Sequence, residues 1–310
     1  MLSPADLATL PFDDWINAFV RGWLVPNFRP WFRAAQVPIS AVLFWLDSFF
    51  RMVPMLVTTA AFAAMAWKFA GRGMAIFTVL GFAFIDMIGL WNETMTSLAM
   101  VVTSVLFCAV IGIPAGILAA GSDRFWRIMR PVLDIMQTIP SFVYLVPIVM
   151  LFGVGTAPGI IATIVFALPP MVRLTNLGIR NVRSDLIEAA EAFGSTRWQM
   201  LRDLQLPLAM RTIMAGLNQT LMLALSMVVI AALIGGGGLG LVVNTGLGRL
   251  DVGGATAGGV GMVILAIVLD RITRGDLPKA GLWHGIARQD AGRFLSVAGA
   301  VPGPRSQKAG

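Results

Sequence analysis

Long apolar runs separated by short polar stretches make up most of the chain after residue 51. A helix of about 20 apolar residues is long enough to cross a bilayer. Seven runs approach that length, at residues 52–70, 73–91, 95–120, 132–152, 157–178, 212–234 and 255–272. The sequence therefore predicts an all-α, polytopic membrane protein with about seven transmembrane helices.

The two ends of the chain depart from this pattern. Residues 1–51 carry four tryptophans and interrupting arginines, which is typical of an amphipathic segment lying at the membrane surface. Residues 52–94 hold the first two predicted spans, and residues 95–275 hold the other five together with a polar loop at 184–208. We expect residues 276–310 to be a polar, disordered tail. The N-terminus lacks a basic region followed by an apolar core, so the sequence predicts no cleavable signal peptide.

Composition supports several membrane spans rather than a single anchor. Hydrophobic residues make up 57% of the chain and charged residues 13%, whereas soluble domains carry about 25% charged residues. The net charge of +7 comes from basic residues between the apolar runs. That distribution is typical of orientation signals and excludes nucleic acid as an expected partner.

The basic residues concentrate in alternate loops, which predicts the orientation of the chain. They are Lys68, Arg72, Arg124, Arg127, Arg130, Arg173, Arg180, Arg183, Arg197, Arg202, Arg211, Arg271 and Arg274. The other loops between spans hold only Arg249. We therefore expect the basic loops and the C-terminus in the cytoplasm and the N-terminus outside. The arginines before the first span favour the opposite orientation, but the later loops agree with one another.

No constellation typical of catalysis or metal binding is present. Cys108 is the single cysteine and lies in an apolar run, and the single histidine, His284, lies in the tail. The glycines at 235–240 match a dinucleotide-binding pattern by letter, but they follow a membrane span rather than a strand, so we interpret them as a flexible outer loop. The sequence has no P-loop, so ATP is not expected to bind this chain.

Polar residues, prolines and small residues within the spans admit two interpretations. A translocation path is one, and interhelical hydrogen bonds are the other, for Gln137, Ser141, Tyr144, Asn218 and Gln219. Prolines in the spans indicate either kinks or a gated path. The small residues at 112–116 and 254–258 predict close helix packing.

The polar loop at 184–208 predicts two short helices. Apolar residues recur at helical spacing up to Phe193, and Gly194 is a typical helix end. A second helical stretch follows, with Ser195 as the expected N-cap and Pro207 as the expected end. The loop should therefore form a helix–turn–helix at the cytoplasmic surface of the membrane.

The same loop carries a specific spacing of residues. A glutamate is followed by two alanines, and a glycine comes four residues after the second alanine. Two leucines and a proline then end the pattern. The residues are Glu188, Ala189, Ala190, Gly194, Leu204, Leu206 and Pro207. This resembles the EAA loop of ABC importer permeases, with leucine in place of the usual isoleucine at 204. The resemblance implies that the loop is the coupling helix that docks on an ATPase subunit.

Residues 95–275 as a whole resemble the glycine betaine/proline/choline permeases of the ProW type. This resemblance implies a type I ABC importer permease in the bacterial inner membrane that imports a quaternary ammonium compatible solute. Its partners would be two ATPase subunits, a second copy of the permease, membrane lipids and an external binding protein, which we expect to be a separate chain. ATP and Mg²⁺ would bind the ATPase, with no cofactor on this chain and no enzymatic activity of its own.

Two other classes of protein remain as alternatives. An ion-coupled secondary transporter of the same solutes would need an ion site made by broken helices in paired halves, and the sequence shows no convincing halves. A membrane-embedded enzyme would need converging Asp, His or Cys residues at bilayer depth, which Cys108 and His284 do not supply.

Overall fold

The computed structural model describes residues 14–15 and 18–274, most of which are helical and none of which form a strand. A π-helical segment, Ala18–Leu24, leads into the first helix. The helices are α1 (Val25–Met52), α2 (Met55–Ala70), α3 (Arg72–Met87), α4 (Trp91–Gly121), α5 (Asp123–Thr138), α6 (Leu145–Phe152), α7 (Thr156–Arg180), α8 (Ser184–Ala192), α9 (Arg197–Ile234), α10 (Leu239–Gly248) and α11 (Val252–Arg274). The predicted all-α class is confirmed.

Among the described residues, four helices are long and apolar enough to cross a membrane: α4, α7, α9 and α11. Two pairs of helices pass the same test only together, since α1 and α2 meet at 104° and α5 and α6 at 106°. If each bent pair is one span, the described residues contain up to six. The protein is thus a multi-pass membrane protein, and the predicted count of seven spans is not reproduced.

Proline causes both bends. The residue before a proline is pushed out of the helical region into an extended conformation. Val53, before Pro54, has ψ 126°, and Ile139, before Pro140, has ψ 128°. The predicted span over 132–152 is therefore not one continuous helix, because it breaks at Ile139 and Pro140.

The predicted span at 73–91 also differs from the helix that the structure has there. Helix α3 has 16 residues, fewer than the roughly 20 that a straight crossing needs. It ends before Gly89, whose φ of +73° turns the chain, and Trp91 begins α4 instead of ending α3. The glycine conformation, which the hydropathy pattern does not encode, sets this boundary.

Helix α1 is longer than the mixed composition of the N-terminal segment suggests. It has 28 residues, packs against α4, α6 and α7, and buries Ile39. The ring of Phe32 contacts Phe152 at a centroid distance of 5.2 Å. The segment is therefore attached to the helical bundle, and its depth in the membrane stays a prediction.

Helices α4, α7 and α9 form the centre of the bundle, and glycines let them approach closely. A Cβ on Gly116 of α4 would lie 2.5 Å from Cβ of Thr175 on α7, and a Cβ on Gly112 would lie 2.8 Å from Cγ of Met171. On α11, a Cβ on Gly258 would lie 3.0 Å from a methyl of Val243. The predicted close helix packing is confirmed at Gly112, Gly116 and Gly258, whereas a Cβ on Gly254 would meet only Asp251 in the preceding turn.

The glycine-rich loop between α9 and α10 is tightly packed rather than flexible, so that expectation is wrong. Gly235 and Gly238 have φ of +84° and +74°, which glycine adopts without steric cost. The Leu239 N–H donates to Oγ of Ser97 at 2.8 Å, and a Cβ on Gly238 would clash with the same hydroxyl. Amino-acid composition does not indicate which backbone conformation these glycines adopt or which residue they contact. The expected tail and His284 lie outside the described residues.

Candidate functional site: the polar loop

The polar loop, residues 184–208, begins with helix α8. Arg183 is extended, and its guanidinium holds both carboxylate oxygens of Asp185, at 3.1 and 2.6 Å. A carboxylate in the first turn also favours the helix N-terminus electrostatically. Glu188 and Ala189 are exposed, and within the described chain no residue of α8 is buried. The helix therefore presents its motif residues outward.

Gly194 ends α8 in a specific hydrogen-bonded turn. Its φ is +79°, its N–H donates to the carbonyl of Glu191 at 2.9 Å, and the Ser195 N–H donates to the carbonyl of Ala190 at 3.0 Å. These two bonds form a Schellman motif, in which glycine is the usual residue with positive φ. The predicted helix end at Gly194 is confirmed.

The second helix of the loop is capped by Thr196 rather than Ser195. The Gln199 N–H donates to Oγ1 of Thr196 at 3.3 Å, and the Thr196 N–H donates to Oε1 of Gln199 at 2.9 Å. This reciprocal arrangement is a capping box. The expected N-cap at Ser195 is therefore off by one residue, and the glutamine three positions after Thr196 was the signal that identifies the cap.

Pro207 does not end the second helix, which corrects the prediction. The chain is helical from Arg197 to Ile234, with a π-helical segment at Met200–Gln205 that ends two residues before the proline. A proline inside a helix lacks an N–H and its ring crowds the carbonyl four residues earlier. The wider π-helical turn accommodates it, so the loop continues into the membrane-spanning part of α9 as one helix.

The base of the loop is fixed to the bundle. Met200 is buried, and Leu201 and Leu206 pack against a cluster that includes Ile179 of α7 and Ile213 of α9. At the end of α7, Arg180 donates to the Ala119 carbonyl and the Asn176 side chain, both at 2.9 Å, and forms a 2.6 Å ion pair with Asp123. The count of basic residues in each loop treated Arg180 like its neighbours. It therefore did not predict that Arg180 connects α7 to the end of α4 and the start of α5.

Large apolar side chains are also exposed on the loop. Phe193 is 73% exposed, Trp198 68% and Leu186 37%. The loop thus offers acidic, small and aromatic residues on a surface that is anchored at its base. Such a surface, with aromatic residues near charges, has the chemistry of a protein-binding site.

The five residues proposed for a translocation path do not share one hydrogen-bonded site. Asn218 lies between α9 and α11, where its amide donates to Asp270 at 3.3 Å and accepts from Thr273 at 2.7 Å. The Tyr144 hydroxyl donates to the carbonyl of Met136 at 2.5 Å. These contacts favour the interhelical interpretation for Asn218. Gln137 and Gln219 are exposed and Ser141 is partly buried, and their part in a path stays a prediction.

Comparison with known proteins places the loop in a family. The family described as binding-protein-dependent transport system inner membrane component matches residues 112–275. The chain is 53% identical over 274 residues to the glycine betaine/proline betaine transport system permease protein ProW of Escherichia coli (strain K12), covering 88% of this chain and 77% of that protein. It is 45% identical over 268 residues to the glycine betaine transport system permease protein OpuAB of Bacillus subtilis (strain 168), covering 86% and 95%.

A solved structure supports the same assignment. An inward-facing MetNI methionine ABC transporter superposes with a TM-score of 0.54 at 25% identity, covering 61% of this chain and 93% of that one. The family match includes all seven motif residues of the polar loop. The chain therefore belongs to the binding-protein-dependent inner-membrane permeases of ABC importers, and within them it is of the ProW type.

Proposed function

We propose that this permease takes its energy from a partner ATPase that docks on the polar loop, with α8 as the coupling helix. The exposure of Glu188 and Ala189 on α8, on a base fixed by Arg180 and Met200, carries this proposal. Glu188 supplies a polar contact, Ala189 and Ala190 permit close approach, and Gly194 makes the turn. The remaining motif residues, Leu204, Leu206 and Pro207, fix the return into the membrane.

The continuity of α9 gives this docking a mechanical consequence. The helix runs from Arg197 to Ile234 without a break, a length of about 57 Å at 1.5 Å per residue. The hydrocarbon core of a bilayer is about 30 Å thick. A displacement of the loop by a docked ATPase would therefore reach the opposite side of the membrane through one helix.

Membership of the family supports a proposal for the assembly. The permease would act as two copies with two ATPase subunits and an external binding protein, and ATP and Mg²⁺ would be bound by the ATPase alone. The basic loops, the polar loop and the C-terminus would face the cytoplasm, with the N-terminus outside. Six arginines lie within or beside the polar loop, whereas Arg249 is the single basic residue of the opposite loops between the predicted spans, and this difference supports the orientation.

The solute would be a quaternary ammonium compatible solute such as glycine betaine, choline, proline betaine or proline. The names of the two relatives given above support this class. A quaternary ammonium has no N–H to donate and is held best by aromatic faces, at about 0.5–2 kcal/mol each. A tight aromatic cage belongs on the binding protein, while the permease gives a weak passage, in which Gln137, Ser141 and Gln219 remain candidates.

Charge reversal on the loop tests the docking. Glu188→Lys should lose most of the co-purifying ATPase, because a motif carboxylate at the interface becomes a cation. Asp203→Lys is the matched control: it makes the same charge change at an exposed position of the loop outside the motif. Equal retention of the ATPase by Glu188→Lys and the unmodified permease would refute docking at α8.

A further inference from the structure

A pocket of about 720 Å³ lies at one end of the bundle, away from the polar loop. Its walls come from α1, the start of α4, the glycine-rich loop, α10 and the turn between α10 and α11. Ligand-binding cavities in proteins typically measure about 300–1,000 Å³. The wall from α1 precedes residues 112–275, so the family domain by itself does not form this pocket.

The lining combines apolar and charged side chains. Phe44, Leu43, Leu241 and Val242 are apolar, and Asp47, Arg51, Glu93, Arg249 and Asp251 are charged. An apolar cavity with a few charged groups is the usual composition of a site for a small solute.

Glu93 is the pocket residue that indicates what kind of ligand would bind. It lies in the first turn of α4, and its Oε2 is buried yet accepts no hydrogen bond from any described residue. A helix N-terminus favours the ionised carboxylate, while burial without a partner is costly. A positive group of a bound solute would compensate this oxygen.

The neighbouring arginine does not supply that group. Arg51 donates to Asp47 from Nε at 3.2 Å and to Oγ1 of Thr96 from Nη2 at 2.6 Å. Asp251 is also engaged, since it accepts from the Gly254 N–H at 3.0 Å. Glu93 is left as the carboxylate of the pocket with an unsatisfied oxygen among the described residues.

Arg249 is the complementary charge. It is exposed at the end of α10 and forms no ion pair with a described residue. One pocket thus offers a partly buried carboxylate, with one buried oxygen, and a cation that is exposed. A zwitterion with its positive group inside and its negative group toward solvent matches this arrangement.

We infer that this pocket is a weak binding site for the zwitterionic solute, which rests on the substrate class proposed above. The trimethylammonium group lies toward Glu93 and the ring of Phe44, and the carboxylate lies toward Arg249. The quaternary ammonium has no N–H and forms no directional hydrogen bonds. A single carboxylate oxygen and an aromatic face are therefore enough to bind it weakly.

Cysteine protection tests the site directly. Thr245 lines the pocket and is partly exposed, so Thr245→Cys in a Cys108→Ser background should react with a small thiol reagent in the permease–ATPase complex. Glycine betaine at twice its dissociation constant should slow labelling about threefold. Ser40→Cys, on the wall from α1, is a second reporter. Val154→Cys, at an exposed position that does not line the pocket, is the control.

Smaller probes separate the two ends of the solute. Tetramethylammonium should protect Thr245→Cys, and Glu93→Gln should abolish that protection. Arg249→Gln should weaken protection by glycine betaine while leaving protection by tetramethylammonium intact. Sorbitol at the same concentration should protect nothing.

The outcomes distinguish this site from the proposed function. Unchanged labelling of both reporters in glycine betaine, or equal slowing at Val154→Cys, would overturn the pocket. If ATP-dependent uptake were observed at the same time, the proposed function would stand without it. Protection without any ATP-dependent uptake would leave the site in place and overturn the function.

Discussion

The guanidinium of Arg180 lies 2.6 Å from the carboxylate of Asp123, and its other nitrogens reach the carbonyl of Ala119 and the side chain of Asn176. One side chain thus ties the end of α7 to the end of α4 and the start of α5. Because the polar loop leaves the bundle directly after α7, this clamp sets where the loop begins.

Replacing the arginine should loosen the loop without unfolding the bundle. Arg180→Gln removes three charge-assisted contacts and should lower ATP-driven uptake severalfold while the chain still inserts. Asp123→Asn is the matched control and should have little effect, since Asp123 is 80% exposed and exposed ion pairs contribute about 0–1 kcal/mol. ATP-driven uptake is measured for both variants. An equal loss of uptake in the two would contradict the proposed role of Arg180.

Gly194 should tolerate substitutions in the order set by positive φ. No atom lies within 4 Å of a Cβ built on it, so only the backbone conformation resists a side chain. A left-handed conformation costs an ordinary L-residue about 1–2 kcal/mol, while asparagine adopts it more readily. Gly194→Val should lose ATPase binding, and Gly194→Asn should retain most of it. Equal retention by the two variants would show that the turn is not required.

Gly116 should be sensitive to size for a different reason. A Cβ there would meet Thr175 at 2.5 Å and the Val172 carbonyl at 2.9 Å. Overpacking of this kind costs about 1–3 kcal/mol, so Gly116→Val should lower the melting temperature of the purified permease. Gly121→Ala, five residues along the same helix with nothing within 4 Å, should melt like the unmodified protein. Equal melting of Gly116→Val would contradict the packing of α4 on α7.

The orientation can be tested with single cysteines. Ser122→Cys and Ser195→Cys, in a Cys108→Ser background, should resist an impermeant thiol reagent added to sealed cells. Val252→Cys, at an exposed position that the proposed topology places outside, should react. The reverse pattern would invert the proposed topology.

The periodicity and length of the apolar runs predicted those helices whose formation depends on the local sequence. The runs at 95–120, 157–178 and 255–272 correspond to α4, α7 and α11, because hydrophobic length alone decides whether a helix can cross. Gly194 was also predictable, since a helix end needs positive φ and glycine provides it.

Other features depend on contacts that a linear pattern does not carry. Pro207 looks like a helix end, yet the π-helical segment before it keeps α9 continuous. The glycine-rich loop looks flexible, yet Ser97 on a distant helix holds it. The pocket at Glu93 joins residues from α1 to the turn before α11, so neither spacing nor composition could indicate it.

The requirement for ATP and a binding protein tests the account most directly. The permease and its ATPase, reconstituted in liposomes, should take up radiolabelled glycine betaine only when both ATP and the external binding protein are present. Omitting either one should reduce uptake to the level of empty liposomes. Uptake driven by an ion gradient without ATP, or micromolar binding of the solute to the permease alone, would contradict the account.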